Sequence, residues 1–274
     1  MKPLSELFSI KNQICVITGG AGLLGQKHAE VVQELGGIPI IFDIDQDSIE
    51  LCLKQLGNSA EGYCVDITQQ NAIDDAYKLI MEKYKRIDIL INNAASNPTM
   101  NFENSKIENI SRLENMPIEH WNRDLSIGLT GSFLCSRVFG YQMSIQKKGV
   151  ILNIASDLAL IGPDQRIYRK EGLPNDNQPV KPVTYSVVKS GIIGLTKYLA
   201  TYWNENGVRV NALVPGGVYD GQSKEFVEKL SKLIPLGRMA EVDEYKSSVA
   251  YLISDASSYM TGSVVVVDGG RTSW

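Results

Sequence analysis

Tyr185 and Lys189 stand four residues apart in Tyr185-Ser186-Val187-Val188-Lys189, a spacing that puts both side chains on one face of a helix. An unperturbed phenol titrates near 10, so proton transfer around neutral pH needs a nearby cation to stabilise the phenolate. Lys189 is such a cation, and the pair suits acid/base work on an alcohol or a carbonyl. The same spacing also arises where a packed Tyr lies beside a solvated Lys. Ser156 follows the apolar run Val150–Ala155. Its hydroxyl can orient a substrate oxygen or simply cap a strand end.

A second chemical feature is Thr18-Gly19-Gly20-Ala21-Gly22-Leu23-Leu24-Gly25. It comes after a short apolar run and before a helix-compatible segment. Glycines in such a turn let backbone approach a pyrophosphate, and the helix N-terminus supplies N–H donors and partial positive charge. Gly19, Gly22, Leu24 and Gly25 are the expected cofactor contacts. Asp43 closes the next apolar run, Ile38–Asp43. A carboxylate there accepts ribose hydroxyls and repels a 2′-phosphate. No Lys or Arg occupies the turn or position 44, so the expected cofactor is NAD, with Asp43 as an ordinary turn residue the alternative. Two histidines, His28 and His120, lack metal-ligand spacing, and no metal or Ser-His-Asp triad is expected.

These residues need a frame. Apolar runs at Ile14–Thr18, Ile38–Asp43, Gly62–Val65, Ile87–Asn92, Val150–Ala155, Val208–Val214 and Ser263–Val267 alternate with helix-length segments. That pattern predicts one doubly wound α/β (Rossmann) domain over residues 1–274 with a seven-stranded parallel sheet. Near-continuous apolar strands fit a sheet covered on both faces. Two polar inserts, residues 97–117 and 162–182, each follow a strand and so leave the ligand-binding edge of such a sheet. The second carries Arg166, Arg169, Lys170 and Lys181, offset by Asp164, Glu171 and Asp176. It reads either as a lid that grips an anion or as a solvated charged loop.

Composition bounds the partners. With 43% hydrophobic residues, 21% charged residues and a net charge of -4, the chain can bury a full core and has no broad attraction for nucleic acid or anionic membrane. No run approaches a membrane span, and Met1–Lys11 lacks the apolar core of a secretory signal. Cys15, Cys52, Cys64 and Cys135 are scattered and are expected to be buried thiols in a reducing cytoplasm.

Over essentially its whole length the chain resembles the short-chain dehydrogenase/reductase family. The family's adenine-pocket Asp matches Asp66 in Val65-Asp66-Ile67-Thr68, and its Asn-Asn-Ala-Gly appears as Asn92-Asn93-Ala94-Ala95. Pro215-Gly216, followed by Val218 opposite the nicotinamide amide, and Val267-Asp268-Gly269-Gly270 match later motifs. The resemblance implies cofactor contacts from Asp66, Ile67, Asn93, Ala94, Pro215, Gly216 and Val218, with Tyr185 and Lys189 shared between cofactor and chemistry. Ser156 would hold the substrate oxygen, Tyr185 would exchange the proton and Lys189 would tune Tyr185. It further implies alcohol/ketone interconversion on a small, polar, sugar-like molecule, and a homodimer or homotetramer built through helices around Thr130–Tyr141 and Val187–Trp203. Within the family the chain looks most like the flagellin-modification oxidoreductases of sialic-acid-like sugar pathways. Two departures matter. Leu23 stands at the usual middle glycine, with Gly22 beside it, and Gly128 replaces the Asn that normally helps a water relay to the Lys. Sugar-nucleotide epimerisation or dehydration, and a catalytically silent NAD-binding subunit, are the rival readings.

Overall fold

The computed structural model describes residues 2–96 and 110–274. Its strands are β1 (Ile14–Thr18), β2 (Ile38–Asp43), β3 (Glu61–Cys64), β4 (Ile89–Asn92), β5 (Gly149–Ile154), β6 (Val208–Pro215) and β7 (Val264–Val267). They form one parallel sheet in the order β3-β2-β1-β4-β5-β6-β7. The chain crosses from β3 back to β4 beside β1, which creates a topological switch point above the C-terminal ends of β1 and β4. The helices are α1 (Leu4–Phe8), α2 (Leu23–Glu34), α3 (Gln46–Leu56), α4 (Gln70–Tyr84), α5 (Ile118–Leu125), α6 (Gly131–Gln146), α7 (Val183–Tyr202), α8 (Lys224–Ser231) and α9 (Lys246–Ile253).

Side chains alternate across each strand, so every apolar strand feeds two cores. Val16, Ile40, Leu90, Ile151 and Val210 pack with Ile73, Ile80, Phe139, Met143 and Trp203 on the face that α4, α6 and α7 cover. Cys15, Ile17, Ile41, Ile91, Leu152 and Leu213 pack with Val32, Ile49, Val249 and Leu252 on the opposite face. Burying a Leu, Ile or Val in this way contributes about 1.5–3 kcal/mol per side chain.

One polar seam crosses the first core. Asn92 and Asn153 are abreast in the β4–β5 pairing. Asn92 Nδ2 donates to Asn153 Oδ1 at 2.8 Å and to Ser136 Oγ at 3.0 Å. Asn153 Nδ2 donates to Thr196 Oγ1 on α7 at 2.8 Å.

One expectation needs correction. Cys15, Cys52 and Cys135 are buried, but Cys64 at the end of β3 is exposed; all four are free thiols. An edge strand leaves its final side chain without a neighbour to cover it. Of the first insert, residues 97–109 lie outside the described residues. The second contains two short 3-10 turns, Gln165–Tyr168 and Asn175–Asn177. Among the described residues no helix is long and apolar enough to cross a membrane.

Candidate active site

The glycine turn joins β1 to α2 and is shaped by close approach. Gly19 adopts φ +59°, and a Cβ there would lie 2.9 Å from Ala94 Cα. At Gly25 a Cβ would collide with the Gly19 carbonyl. Gly22 is the N-cap of α2 and offers no side-chain cap, so first-turn N–H groups remain available to a ligand anion. Leu23 opens the helix and is exposed, so the departure from the usual glycine spacing puts a side chain outside the turn rather than in it. The residues present therefore fit a dinucleotide.

Other elements hold this turn in place. Asn93, just past β4, donates from Nδ2 to the carbonyls of Thr18 and Gly19 at 3.1 and 2.9 Å. Thr18 Oγ1 accepts the N–H groups of Asn93 and Ala94, each at 3.1 Å. Asp43 ends β2, with Oδ2 accepting from Ala21 N at 3.2 Å and Oδ1 from Ile44 N at 2.8 Å. Its carboxylate is thereby locked beside the turn. Asp66 is exposed and holds Thr68 through N–H and hydroxyl, whereas Ile67 is buried against Gly131. On the far side, Pro215 ends β6, Gly216 packs against Asp268, and Val218 bridges to Ala240.

Ser156 leaves β5, while Tyr185 and Lys189 ride the first two turns of α7. Pro182 caps that helix, and Thr184 Oγ1 donates to Asp124 Oδ2 on α5 at 2.5 Å. Lys189 Nζ donates to the Ile154 carbonyl at 2.8 Å and sits 5.9 Å from the Tyr185 ring centroid. Burial raises the Tyr185 pKa, which hydrogen bonding with Ser156 opposes. Burial also draws Lys189 down to about 8. The structure thus brings Ser156, Tyr185 and Lys189 together at the sheet edge that carries the glycine turn.

The relay position differs from expectation. Gly128 lies in a π-helical turn, Ser126–Thr130, between α5 and α6, and its carbonyl accepts the Ser132 hydroxyl at 2.8 Å. A Cβ at this position would overlap Val188 Cγ1. Any side chain here would have to displace Val188 on α7.

Of four nearby residues, Lys181 belongs to the cationic set of the second insert, and Asp157, Tyr168 and Arg271 carried no signal in isolation. Asp157 is buried and accepts the Ser156 hydroxyl at 2.8 Å. Lys181 Nζ lies 3.8 Å from the Tyr185 ring centroid, and burial lowers it to about 8. Tyr168 and Arg271 complete the group through their electrostatic coupling to Asp157. Asp157 directly follows Ser156 and Arg271 directly follows Gly270, so adjacency to both motifs was the available clue. The lid arginines are placed otherwise. Arg166 is 77% exposed at its side chain and forks onto Asp164 at 2.8 and 2.7 Å, and Arg169 is exposed.

A family model described as enoyl-(acyl carrier protein) reductase matches residues 20–272. The NAD-dependent glycerol dehydrogenase of Listeria innocua is 29% identical, over 99% of this chain and 98% of its own length. The D-threitol dehydrogenase of Mycolicibacterium smegmatis is 28% identical, over 97% and 95%. A short-chain dehydrogenase of Leptospira borgpetersenii, solved with bound NAD+, superposes with a TM-score of 0.84 at 30% identity, over 99% of this chain and 96% of its own. A Rossmann sheet, a glycine turn built for a dinucleotide and these end-to-end likenesses agree: the chain belongs to the short-chain dehydrogenase/reductase family of NAD(P)-dependent oxidoreductases.

Proposed function

We propose that this protein is an NAD(H)-dependent dehydrogenase that interconverts alcohol and ketone on small, polyhydroxylated molecules. The observation that carries the reading is the convergence of Ser156, Tyr185 and Lys189 beside a glycine turn whose neighbouring carboxylate is Asp43. Similarity to glycerol and threitol dehydrogenases supports the substrate class. The flagellin-modification pathway finds no support in these relatives.

The nicotinamide supplies the hydride acceptor or donor when bound. In the oxidative direction Ser156 positions the alcohol oxygen, and Tyr185 takes its proton. Lys189 and Lys181 flank the Tyr185 ring, so two cations stand ready to offset developing phenolate charge. The Lys181 charge also helps hold the Lys189 pKa down. Asp157 accepts the Ser156 hydroxyl hydrogen at 2.8 Å, while the Ser156 oxygen accepts the Leu158 N–H at 3.3 Å. Asp43 holds the adenosine ribose and selects NAD over NADP. Gly128 favours one second reading, an NAD-binding subunit without turnover, because the usual relay side chain is missing.

Replacing Tyr185 by Phe tests both. NAD affinity should persist while NADH formation from polyols falls by about 10²-fold or more, the range of a lost acid/base. Near wild-type turnover in Tyr185→Phe would remove Tyr185 from the chemistry, and a wild type that binds NAD but turns over no alcohol would favour the silent subunit.

A further inference from the structure

Arg271 follows β7 at the same sheet edge as Ser156 and is 8% exposed. Its backbone N–H donates to the Asp268 carbonyl at 3.2 Å, but its guanidinium makes no hydrogen bond to a described residue. None of its nitrogens is fully enclosed, so its five N–H donors and full charge are open to a ligand's oxygens. The neighbouring carboxylates are otherwise engaged. Asp164 is forked by Arg166, and Asp268 accepts the N–H groups of Gly270 and Thr272 at 2.9 and 2.8 Å.

Asp157 faces two cations, since both Arg271 and Lys181 act on it electrostatically. Its Oδ1 is shared between the Ser156 hydroxyl and Leu158 N. Lys181 is fixed by its backbone. Its N–H donates to Gln165 Oε1 at 2.8 Å, and its carbonyl accepts Gln165 Nε2 at 3.3 Å. The clamp holds the ammonium over the ring whose hydroxyl meets the substrate.

We infer that Arg271 and Lys181 form a subsite for an oxyanion carried by the substrate, a carboxylate or a phosphate on the same small molecule as the reacting alcohol. The inference rests on the dehydrogenase reading and narrows it: hydroxy acids or polyol phosphates are favoured over neutral polyols. Arg271 supplies the planar fork that matches such a group, and Lys181 supplies a point charge. The exposed lid arginines have no part in it.

Glycerol, glycerate and glycerol 3-phosphate share a carbon skeleton and differ in charge, so they separate the cases. Each is titrated calorimetrically into the full-length protein loaded with NADH. At least one anion should bind tenfold or more tighter than glycerol. Preference for glycerate assigns a carboxylate, and preference for glycerol 3-phosphate assigns a phosphate. Arg271→Gln should abolish the preference, Arg271→Lys should keep part of it, and Arg166→Gln should leave it intact. Lys181→Gln gives an independent loss should Arg271→Gln not fold. Anions no tighter than glycerol, or a preference that survives both Arg271→Gln and Lys181→Gln, overturn the subsite. NADH formation is followed separately. Anion binding through Arg271 with no NADH from any of the three counts against the dehydrogenase reading alone, whereas turnover without anion preference counts against the subsite alone.

Discussion

His28 lies on α2 one turn beyond Gly25 and is buried, its Nε2 without a hydrogen-bond partner among the described residues. Burial holds its pKa near 4, against an ordinary value of 6.5. The folded protein therefore resists a proton that the unfolded chain accepts, so stability is lost as pH falls from about 6.5 to about 4 and levels off below. Across that window the loss is about 3 kcal/mol. Urea unfolding at pH 7 and pH 4.5 should show a steeper drop in the wild type than in His28→Gln, and parallel drops would remove His28 as the cause. Asp43 carries a second prediction at this scale. Its carboxylate is tethered to the Ala21 and Ile44 N–H groups and cannot swing away from a 2′-phosphate. NAD should bind at least tenfold tighter than NADP, about 1.4 kcal/mol. Asp43→Asn keeps an acceptor but drops the charge, and should narrow the ratio. Titration of both cofactors against both proteins decides it.

The π-helical turn between α5 and α6 is the element most closely fitted to the site. It presses the Gly128 backbone against Val188, one residue before Lys189. Val is stiff at χ1 and has little room to yield. Gly128→Ala should cost about 1–3 kcal/mol through overpacking, read as a lowered thermal midpoint. Gly128→Asn should lose activity through displacement of α7 rather than gain it by rebuilding a relay. Equal midpoints for Gly128→Ala and wild type would show that α7 accommodates the methyl. This contact marks where sequence reading stops. The strands were legible because runs such as Cys15-Val16-Ile17 need no partner to be recognised. Their bounds agree to within two residues. Ser156, Tyr185 and Asp43 were legible because each closes or opens such an element. Val188 packs against Gly128 across 60 positions of chain, and Arg271 acts electrostatically on Asp157 across more than 100. Neither residue type announces its burial, so only the packed structure reveals them.

At the scale of the molecule, α6 and α7 leave apolar surface uncovered. Phe133 and Tyr141 on α6 and Val187, Tyr198 and Tyr202 on α7 are exposed, with Tyr198 and Tyr202 stacked at 5.7 Å. Aromatic faces of this kind are typical of interfaces, and they coincide with the helices through which the family resemblance implies assembly. Sedimentation at micromolar concentration should give a dimer or tetramer, and Tyr198→Glu should shift it towards monomer; a wild-type monomer would contradict the expectation. The Asn92–Asn153 seam has a consequence of another kind. These strands meet across 61 residues of chain, the sort of non-local pairing that forms slowly and admits errors. Sliding β5 by one residue turns Asn153 to the opposite face, and sliding it by two carries the amide past its partner. Either mistake leaves buried amide groups unsatisfied at about 1–3 kcal/mol each, and Thr196 on α7 loses the donor that seats it. The seam thus proofreads the sheet: strands joined out of step give the helix bearing Tyr185 and Lys189 no place to dock, and the chemistry assembles on the correctly paired fold.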